Sequence, residues 1–180
     1  IHVGPSIDLD ALDEISKLAL VEKPNRVVIT GDLIDKLAWL PQVCERLTTF
    51  AKQIPDGVDF ILGNHEYHHD VNKVLDELKH NTPMNILVNS NIQIMGGKQP
   101  VYIAGVAYDN DREKEKREAM IDKALSGIPD YAFVILLAHH PEFFEEAIER
   151  KIPLTLSGHT HGGQIVFMGM PLVPTGTPYT

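Results

Sequence analysis

The stretch Arg26-Val27-Val28-Ile29-Thr30-Gly31-Asp32 is a short apolar run, rich in β-branched residues, that ends in a glycine and a carboxylate. Such a run predicts a strand buried on both faces, as in a parallel sheet. In open α/β sheets, ligands bind beyond the carboxyl ends of the strands. Asp32 is therefore a candidate ligand residue, although an aspartate at this position could also cap a helix.

Three further apolar runs end in short polar motifs. They are 59–62 followed by Gly63-Asn64-His65-Glu66, 134–137 followed by Ala138-His139-His140-Pro141, and 154–157 followed by Gly158-His159-Thr160-His161. In an extended chain, residues i and i+2 point to the same side, so His159 and His161 can converge on one small volume. Taken one at a time, the motifs also fit ordinary turns, with Asn64 as a turn residue and His65 at the surface. Their recurrence at four strand ends favours one shared cleft.

The polar groups at these strand ends form a mixed set of nitrogen and oxygen ligands. Imidazole, carboxylate and amide groups suit Mn²⁺, Fe or Zn²⁺ better than Mg²⁺ or Ca²⁺ alone. The set is too large for one ion, and two ions sharing Asp32 as a bridge would use it better. Such pairs lie about 3.5–4 Å apart and activate water for in-line attack at phosphorus.

The remaining pattern alternates strands with helices. Helices are predicted at 9–21, 40–54, 71–79, 111–125 and 142–150, and strands at 26–30, 58–62, 86–95 (as one or two short strands), 101–107, 131–137 and 152–156, before an irregular tail at 168–180. This alternation predicts an α/β fold with a mostly parallel sheet, formed by one domain over residues 1–180.

The composition limits the partners of the chain. Among 180 residues, 25 are acidic and 16 are Lys or Arg, for a formal net charge of -9. Long nucleic acid is disfavoured, whereas small phosphorylated substrates are compatible if bound cations supply positive charge. No apolar run is long enough to span a membrane, and no signal peptide is evident. Cys44 is the only cysteine, so no internal disulfide can form, and its helical, partly apolar setting predicts a core or half-buried thiol.

Taken in order along the chain, these four motifs resemble the ordered motifs of the calcineurin-like metallophosphoesterases, and the resemblance covers nearly the whole chain. The motifs are Gly31-Asp32, Gly63-Asn64-His65-Glu66, Ala138-His139-His140-Pro141 and Gly158-His159-Thr160-His161. The forms around Asn64–Tyr67 and 157–164 are most similar to a bacterial subgroup of membrane-associated phosphohydrolases, which are themselves similar to the UDP-2,3-diacylglucosamine pyrophosphatase-like proteins. The resemblance implies a metallophosphoesterase-type sandwich of mixed, mostly parallel sheets flanked by helices.

The same resemblance implies an activity and its cofactors. These are the hydrolysis of a phosphate ester, diester or pyrophosphate bond by hydroxide, activated by two divalent ions (Mn, Fe or Zn). The implied substrate is small and phosphorylated, such as a lipid or nucleotide-sugar phosphate.

The resemblance also implies roles for individual residues. Asp32 would bridge both ions, with Asn64, His139 and His159 completing one site and His2 and His161 serving the other. His65 would bind no metal and would act beside the phosphate, as the acid for the leaving group or as a stabiliser of developing charge. His139, rather than His140, fits the His-x-Pro pattern of the family.

Residues next to the motifs are candidates for supporting roles. Asp35 is expected to accept a hydrogen bond from a ligand histidine. Glu66 could do the same or be a solvated charge. His68 and His69 could line the substrate pocket or form an exposed polar turn, and His140 could orient a neighbour or face solvent.

The family pattern opens with Asp-x-His, whereas only Ile1 precedes His2 here. We therefore expect the chain to be incomplete at both ends, with the first metal site short of one carboxylate. Any membrane association would use a segment outside this chain, and the expected location is cytoplasmic or membrane-associated. Three alternatives stay open: a non-catalytic metal-binding scaffold, a nuclease on the same fold, and a protein phosphatase.

Overall fold

The computed structural model describes residues 1–108 and 113–161, together with the backbone of two short strands further on. The chain divides into two compact units, Ile1–Val88 and Asn89–Thr180, and each is described by itself. The assignment of one domain to residues 1–180 stays a prediction.

The first unit contains three parallel strands and four α-helices. They are α1 (Leu9–Val21), β1 (Val27–Ile29), α2 (Leu40–Ala51), β2 (Val58–Phe60), α3 (Asn64–Tyr67), α4 (Val71–Asn81) and β3 (Asn85–Ile86). The strands lie in the order β1-β2-β3, and Val27 pairs with Val58 in the first ladder. The strands are short, and their apolar residues are buried or half-buried, as expected for a sheet covered by helices.

The ends of the helices follow their capping residues. The Asp8 carboxylate accepts a hydrogen bond from the Ala11 amide at the start of α1, and Asp70 does the same for Asn72 and Lys73 in α4. The predicted range 9–21 is therefore confirmed. The range 40–54 was too long, because α2 ends at Ala51 and the chain continues in tight turns.

A buried carboxylate links the three strands. Asp59 of β2 is fully buried and accepts hydrogen bonds from Arg26, before β1, and from Asn85 of β3, each with a shortest distance of 2.8 Å. A buried charge is tolerated only when it is paired in this way. The network ties the strand that leads to Asp32 to the strand that leads to Asn64.

The second unit contains a four-stranded sheet. Its elements are β4 (Ser90–Met95), β5 (Val101–Gly105), α5 (Lys114–Leu125), β6 (Phe133–Ala138), α6 (Phe144–Glu149) and β7 (Leu154–Ser157). The strand order is β4-β5-β6-β7; β4 and β5 are antiparallel, whereas β5, β6 and β7 are parallel. The predicted α/β class with mixed, mostly parallel sheets is thus confirmed.

Several predicted boundaries in this unit were wrong. The helix predicted at 142–150 is a 3₁₀ turn, Pro141–Phe143, followed by α6, because proline favours the first turn of a helix and ends the preceding strand. The tail predicted as irregular contains β9 (Met170–Pro171), which pairs antiparallel with β8 (Val166–Phe167). The first residues of the helix predicted at 111–125 lie outside the described residues.

Within the described residues, no helix is both long and apolar enough to cross a membrane.

Cys44 lies on the inner face of α2 and is 1% exposed. Burial, with a smaller contribution from the charge of Glu77, raises the pKa of its thiol from 9.0 to about 11.

Because the thiolate is the reactive form, we expect iodoacetamide to label Cys44 of the native chain at pH 8 about 100-fold or more slowly than Cys44 of the urea-unfolded chain. Between pH 9 and 11 the native thiol keeps its proton, whereas the unfolded thiol loses it. The contribution of Cys44 to the free energy of unfolding therefore falls as pH rises from 9 towards 11. Mass spectrometry of timed samples measures the labelling, and equal rates would contradict burial of Cys44.

Candidate metal centres

The first unit brings two predicted motifs to the same edge of its sheet. β1 and β2 are parallel neighbours, so the segments that follow them leave the sheet side by side. Asp32 follows β1, and Asn64 and His65 open the short helix α3 after β2. The alternative in which Asp32 caps a helix is supported in part, because its carboxylate accepts the backbone N–H of His65, in the first turn of α3, at 2.9 Å.

His2 reaches the same point from the start of the chain. Its backbone N–H donates to the Asp32 carbonyl, and Val3 N–H donates to Leu33, both at 2.8 Å. Gly4 permits this approach, because a Cβ there would lie 2.7 Å from Cβ of Asp35. The His2 segment is thereby held against the loop that follows β1.

His2, Asp32 and His65 form the first candidate ligand cluster. Each offers one nitrogen or oxygen atom, and these atoms all lie within 4.8 Å of one another. Nε2 of His2 is 3.5 Å from Oδ2 of Asp32, a separation that two atoms on one ion adopt when each bond is about 2.1 Å. The imidazole rings of His2 and His65 meet edge to face, with centroids 4.4 Å apart. The donor set of this cluster fits a divalent transition metal.

Asp35 lies behind both histidines, as expected for a residue that orients ligands. Its Oδ1 is 3.0 Å from Nδ1 of His2 and 2.6 Å from Nδ1 of His65. Burial alone would raise the pKa of Asp35, but the hydrogen bond from His2 and the two nearby imidazoles outweigh burial and lower this pKa. By accepting Nδ1–H, Asp35 sets the tautomer in which Nε2 carries the lone pair.

Glu66 matches neither alternative from the sequence, which were a carboxylate that accepts a hydrogen bond from a ligand histidine and a solvated charge. It is completely buried, so it is no solvated charge, and its described hydrogen bonds come from backbone amides rather than from a histidine. Oε2 accepts from Asp32 and Gly63 at 2.9 and 2.6 Å, and Oε1 accepts from Leu33 and Ile34 at 2.7 and 3.2 Å. Burial raises the pKa of this carboxyl, and the amide donors oppose that shift. Glu66 therefore fastens the loop that carries Asp32 to the start of α3.

The other candidates near α3 are less enclosed. Asn64 is half-buried in the first turn of α3, next to the amide that binds Asp32. His68 is exposed, and its ring centroid lies 4.9 Å from that of His65. His69 is half-buried. A role of His68 or His69 in lining a substrate pocket stays a prediction.

The second unit brings His139, His140 and His159 together. They follow the parallel neighbours β6 and β7, whose ends pair at Ala138 and Ser157, and the Gly158 amide donates to the His139 carbonyl at 3.1 Å. One nitrogen from each of the three rings lies within 4.8 Å of the others, which makes a second candidate ligand cluster. His140 is buried, so the alternative in which it faces solvent is wrong. His161 is exposed and is not a member of this cluster.

The backbone at several candidate ligands adopts the left-handed conformation that L-residues rarely occupy. His2, Asp32, His159 and His161 have φ values of 61°, 54°, 66° and 53°. Such conformations cost on the order of 1–3 kcal/mol each and concentrate at functional sites. Three residues outside the candidate site share this conformation, namely Lys23, Asn89 and Lys151. The strain therefore supports the assignment of the four candidate ligands only together with their side-chain chemistry.

Sequence reasoning missed one residue near the second cluster. Tyr108, which follows β5, packs against His140 with ring centroids 5.0 Å apart, and its ring also lies 6.3 Å from His139, edge to face. The same observation that pointed to the histidines, a polar or aromatic residue beyond the carboxyl end of a parallel strand, would have found it.

Comparison with known proteins identifies the class. The family model described as calcineurin-like phosphoesterase matches residues 1–163, and the chain belongs to this family. This agrees with the motifs, whereas the relation to the UDP-2,3-diacylglucosamine pyrophosphatase-like subgroup stays a prediction. Family membership implies divalent metal cofactors, and the two clusters supply donor atoms suited to them.

Relatives occur in bacteria and animals. The chain is 36% identical to an uncharacterised metallophosphoesterase of Campylobacter jejuni and 33% identical to one of Aquifex aeolicus, covering 92% and 93% of this chain. It is 31% identical, over 92% of its length, to a Danio rerio protein named as a transmembrane protein with a metallophosphoesterase domain. The chain spans 43%, 62% and 39% of these three relatives, respectively.

Proposed function

We propose that this chain carries the hydrolytic centre of a metal-dependent phosphoesterase, which cleaves a phosphate ester, diester or pyrophosphate in a small substrate. The observation that carries the proposal is the cluster of His2, Asp32 and His65 with Asp35 behind it. A carboxylate and two imidazoles share one point, and a further carboxylate orients both rings. Membership of the phosphoesterase family supports the same chemistry.

The proposed ligand set would hold two divalent ions (Mn, Fe or Zn), with Asp32 shared between them. Asn64, His139 and His159 would hold one ion, and His2 and His161 the other. When bound, such ions lower the pKa of water and offset negative charge on the phosphoryl oxygens. The proposal rests on donor chemistry and on the family.

The protein residues contribute orientation and a proton. Asp35 accepts the Nδ1–H of His65 and so favours the imidazolium form of this ring, in which Nε2 also carries a proton that it can donate to the leaving oxygen or share with the phosphate in a hydrogen bond. Attack on phosphorus is direct. The lone thiol, Cys44, does not serve as a nucleophile, because it is buried in the first unit and its pKa is raised.

The names of two relatives favour one of the two expected locations. Two vertebrate relatives, from Danio rerio and Bos taurus, are named as transmembrane proteins with a metallophosphoesterase domain. We therefore favour membrane association, through a segment outside this chain, over a cytoplasmic location. The proposed substrate class stays a small phosphorylated compound, such as a lipid or nucleotide-sugar phosphate.

The substitution His65→Ala tests the assignment of roles. We expect turnover to fall about 10²- to 10³-fold, because a positioned acid is lost, while the metal content stays the same. Hydrolysis of a chromogenic bis-aryl phosphate diester with Mn²⁺ measures the rate, and elemental analysis of the protein measures the metal. His80→Ala is the matched control, since His80 is exposed near the end of α4.

Loss of metal from His65→Ala would instead make His65 a ligand, a role that its distances to His2 and Asp32 also permit. The same assay on the full-length protein separates an enzyme from a non-catalytic scaffold. Absence of turnover with every divalent ion tested would overturn the proposed hydrolysis and favour the scaffold. Release of phosphate from a phosphopeptide would instead favour a protein phosphatase.

A further inference from the structure

Three imidazoles crowd together in the second unit, but their rings are not arranged alike. His139 and His159 meet edge to face, with centroids 5.2 Å apart and planes at 75°. His140 and His159 instead stack face to face, with centroids 3.8 Å apart and planes at 29°. His139 and His140 also meet edge to face, with centroids 5.6 Å apart and planes at 66°. Ring geometry therefore shows that the stacked pair, His140 and His159, contains at most one ligand of the same ion.

Ligand geometry decides which rings can share an ion. The lone pair of an imidazole lies in the plane of its ring, so ligand rings point edge-on at the metal. With metal–nitrogen bonds of about 2.1 Å and tetrahedral angles, two ring centroids lie about 5 Å apart. The pair His139 and His159 meets this condition, whereas His140 and His159 are too close and too nearly parallel to do so together.

Exposure and packing indicate which member of the stacked pair is the ligand. His159 is partly exposed, just beyond the end of β7, and its backbone φ is 66°. His140 has an ordinary extended backbone, with φ -85° and ψ 131°, and is buried. Tyr108 also packs on the His140 ring, with centroids 5.0 Å apart and planes at 33°.

We propose that His140 is a positioning residue, whose ring, packed against Tyr108, holds the His159 imidazole in its metal-binding orientation without itself donating a nitrogen to the ion. The inference rests on the proposed metal-dependent function and adds a determinant of metal affinity outside the ligand set. It predicts that position 140 requires a flat ring rather than a nitrogen atom. Residues that orient metal ligands typically contribute about 10- to 100-fold in metal affinity.

Two substitutions separate the ring from the nitrogen. His140→Phe keeps a flat ring and removes both nitrogens, whereas His140→Asn keeps a polar donor and removes the ring. With Co²⁺ as the probe, titrated by its visible absorption, we expect His140→Phe to bind within about threefold of the wild type and with an unchanged spectrum. His140→Asn should bind about 10- to 100-fold more weakly. His159→Ala is the reference for the loss of a ligand.

The reverse order of affinities would overturn the inference and make His140 a ligand. Equal affinities for both variants, or a wild-type chain that binds no Co²⁺, would also overturn it. A wild-type chain that binds Co²⁺ but hydrolyses no substrate would contradict the proposed hydrolysis without contradicting the role of His140.

If His140→Phe does not fold, the variants Tyr108→Phe and Tyr108→Ala provide a second comparison. Affinity should then fall only in the alanine variant, and equal affinities in these two would contradict the inference.

Discussion

Replacing Asp32 by asparagine should abolish metal-dependent hydrolysis while leaving the fold intact. Asparagine has the same shape, keeps an oxygen for the His65 amide, and tolerates the left-handed backbone at φ 54°. It removes the negative charge that would attract the ions, within 3.5 Å of Nε2 of His2. We expect turnover to fall by about 10³-fold or more, as when other electrostatic elements of active sites are lost.

The measurements are diester hydrolysis with Mn²⁺, the number of ions bound per chain, and the thermal unfolding midpoint. Asp76→Asn on the exposed face of α4 is the matched control and should change none of them. An Asp32→Asn variant with wild-type metal content and rate would remove Asp32 from the ligand set, and with it the bridged pair of ions.

Replacing Glu66 by glutamine should destabilise the chain more than removing the charge of any exposed residue. Both carboxylate oxygens accept two backbone amides each, so the NH₂ group of glutamine must face two N–H donors, whichever way it turns. Leaving two buried amides without an acceptor costs about 2–6 kcal/mol in the free energy of unfolding. Metal affinity should fall with stability, because the amide of Asp32 is among the four.

Urea unfolding followed by circular dichroism measures this loss. Glu45→Gln, at an exposed position on α2, is the matched control and should change the unfolding free energy by less than about 0.5 kcal/mol. A Glu66→Gln variant as stable as the control would mean that the four amide contacts contribute nothing to folding.

The arrangement of strands and helices could be predicted from the sequence because it depends on local pattern. The β-branched run before Gly31 and the stripe of α1 each indicate one kind of element, and the aspartates before α1 and α4 mark where those helices begin. The predicted boundary of a helix was wrong where a second local preference acted, as at Pro141, which begins a 3₁₀ turn rather than an α-helix.

Much of the candidate site could also be predicted, because parallel strands bring their carboxyl ends to one edge. This rule places Asp32 beside His65, and His139 beside His159. The supporting contacts could not be predicted, because they depend on distances between distant segments. Glu66 had one usable signal, its position three residues after Gly63, where a helix-opening glutamate can accept the backbone N–H of the capping residue.

The left-handed backbone at His2, His159 and His161 has a consequence for laboratory evolution. Glycine would relax each of these positions, by an amount on the order of 1–3 kcal/mol, and would delete the side chain. Selecting a library of variants only for thermal stability would therefore enrich variants that lack these ligand side chains. A selection for stability in this chain must also measure hydrolysis in the same round.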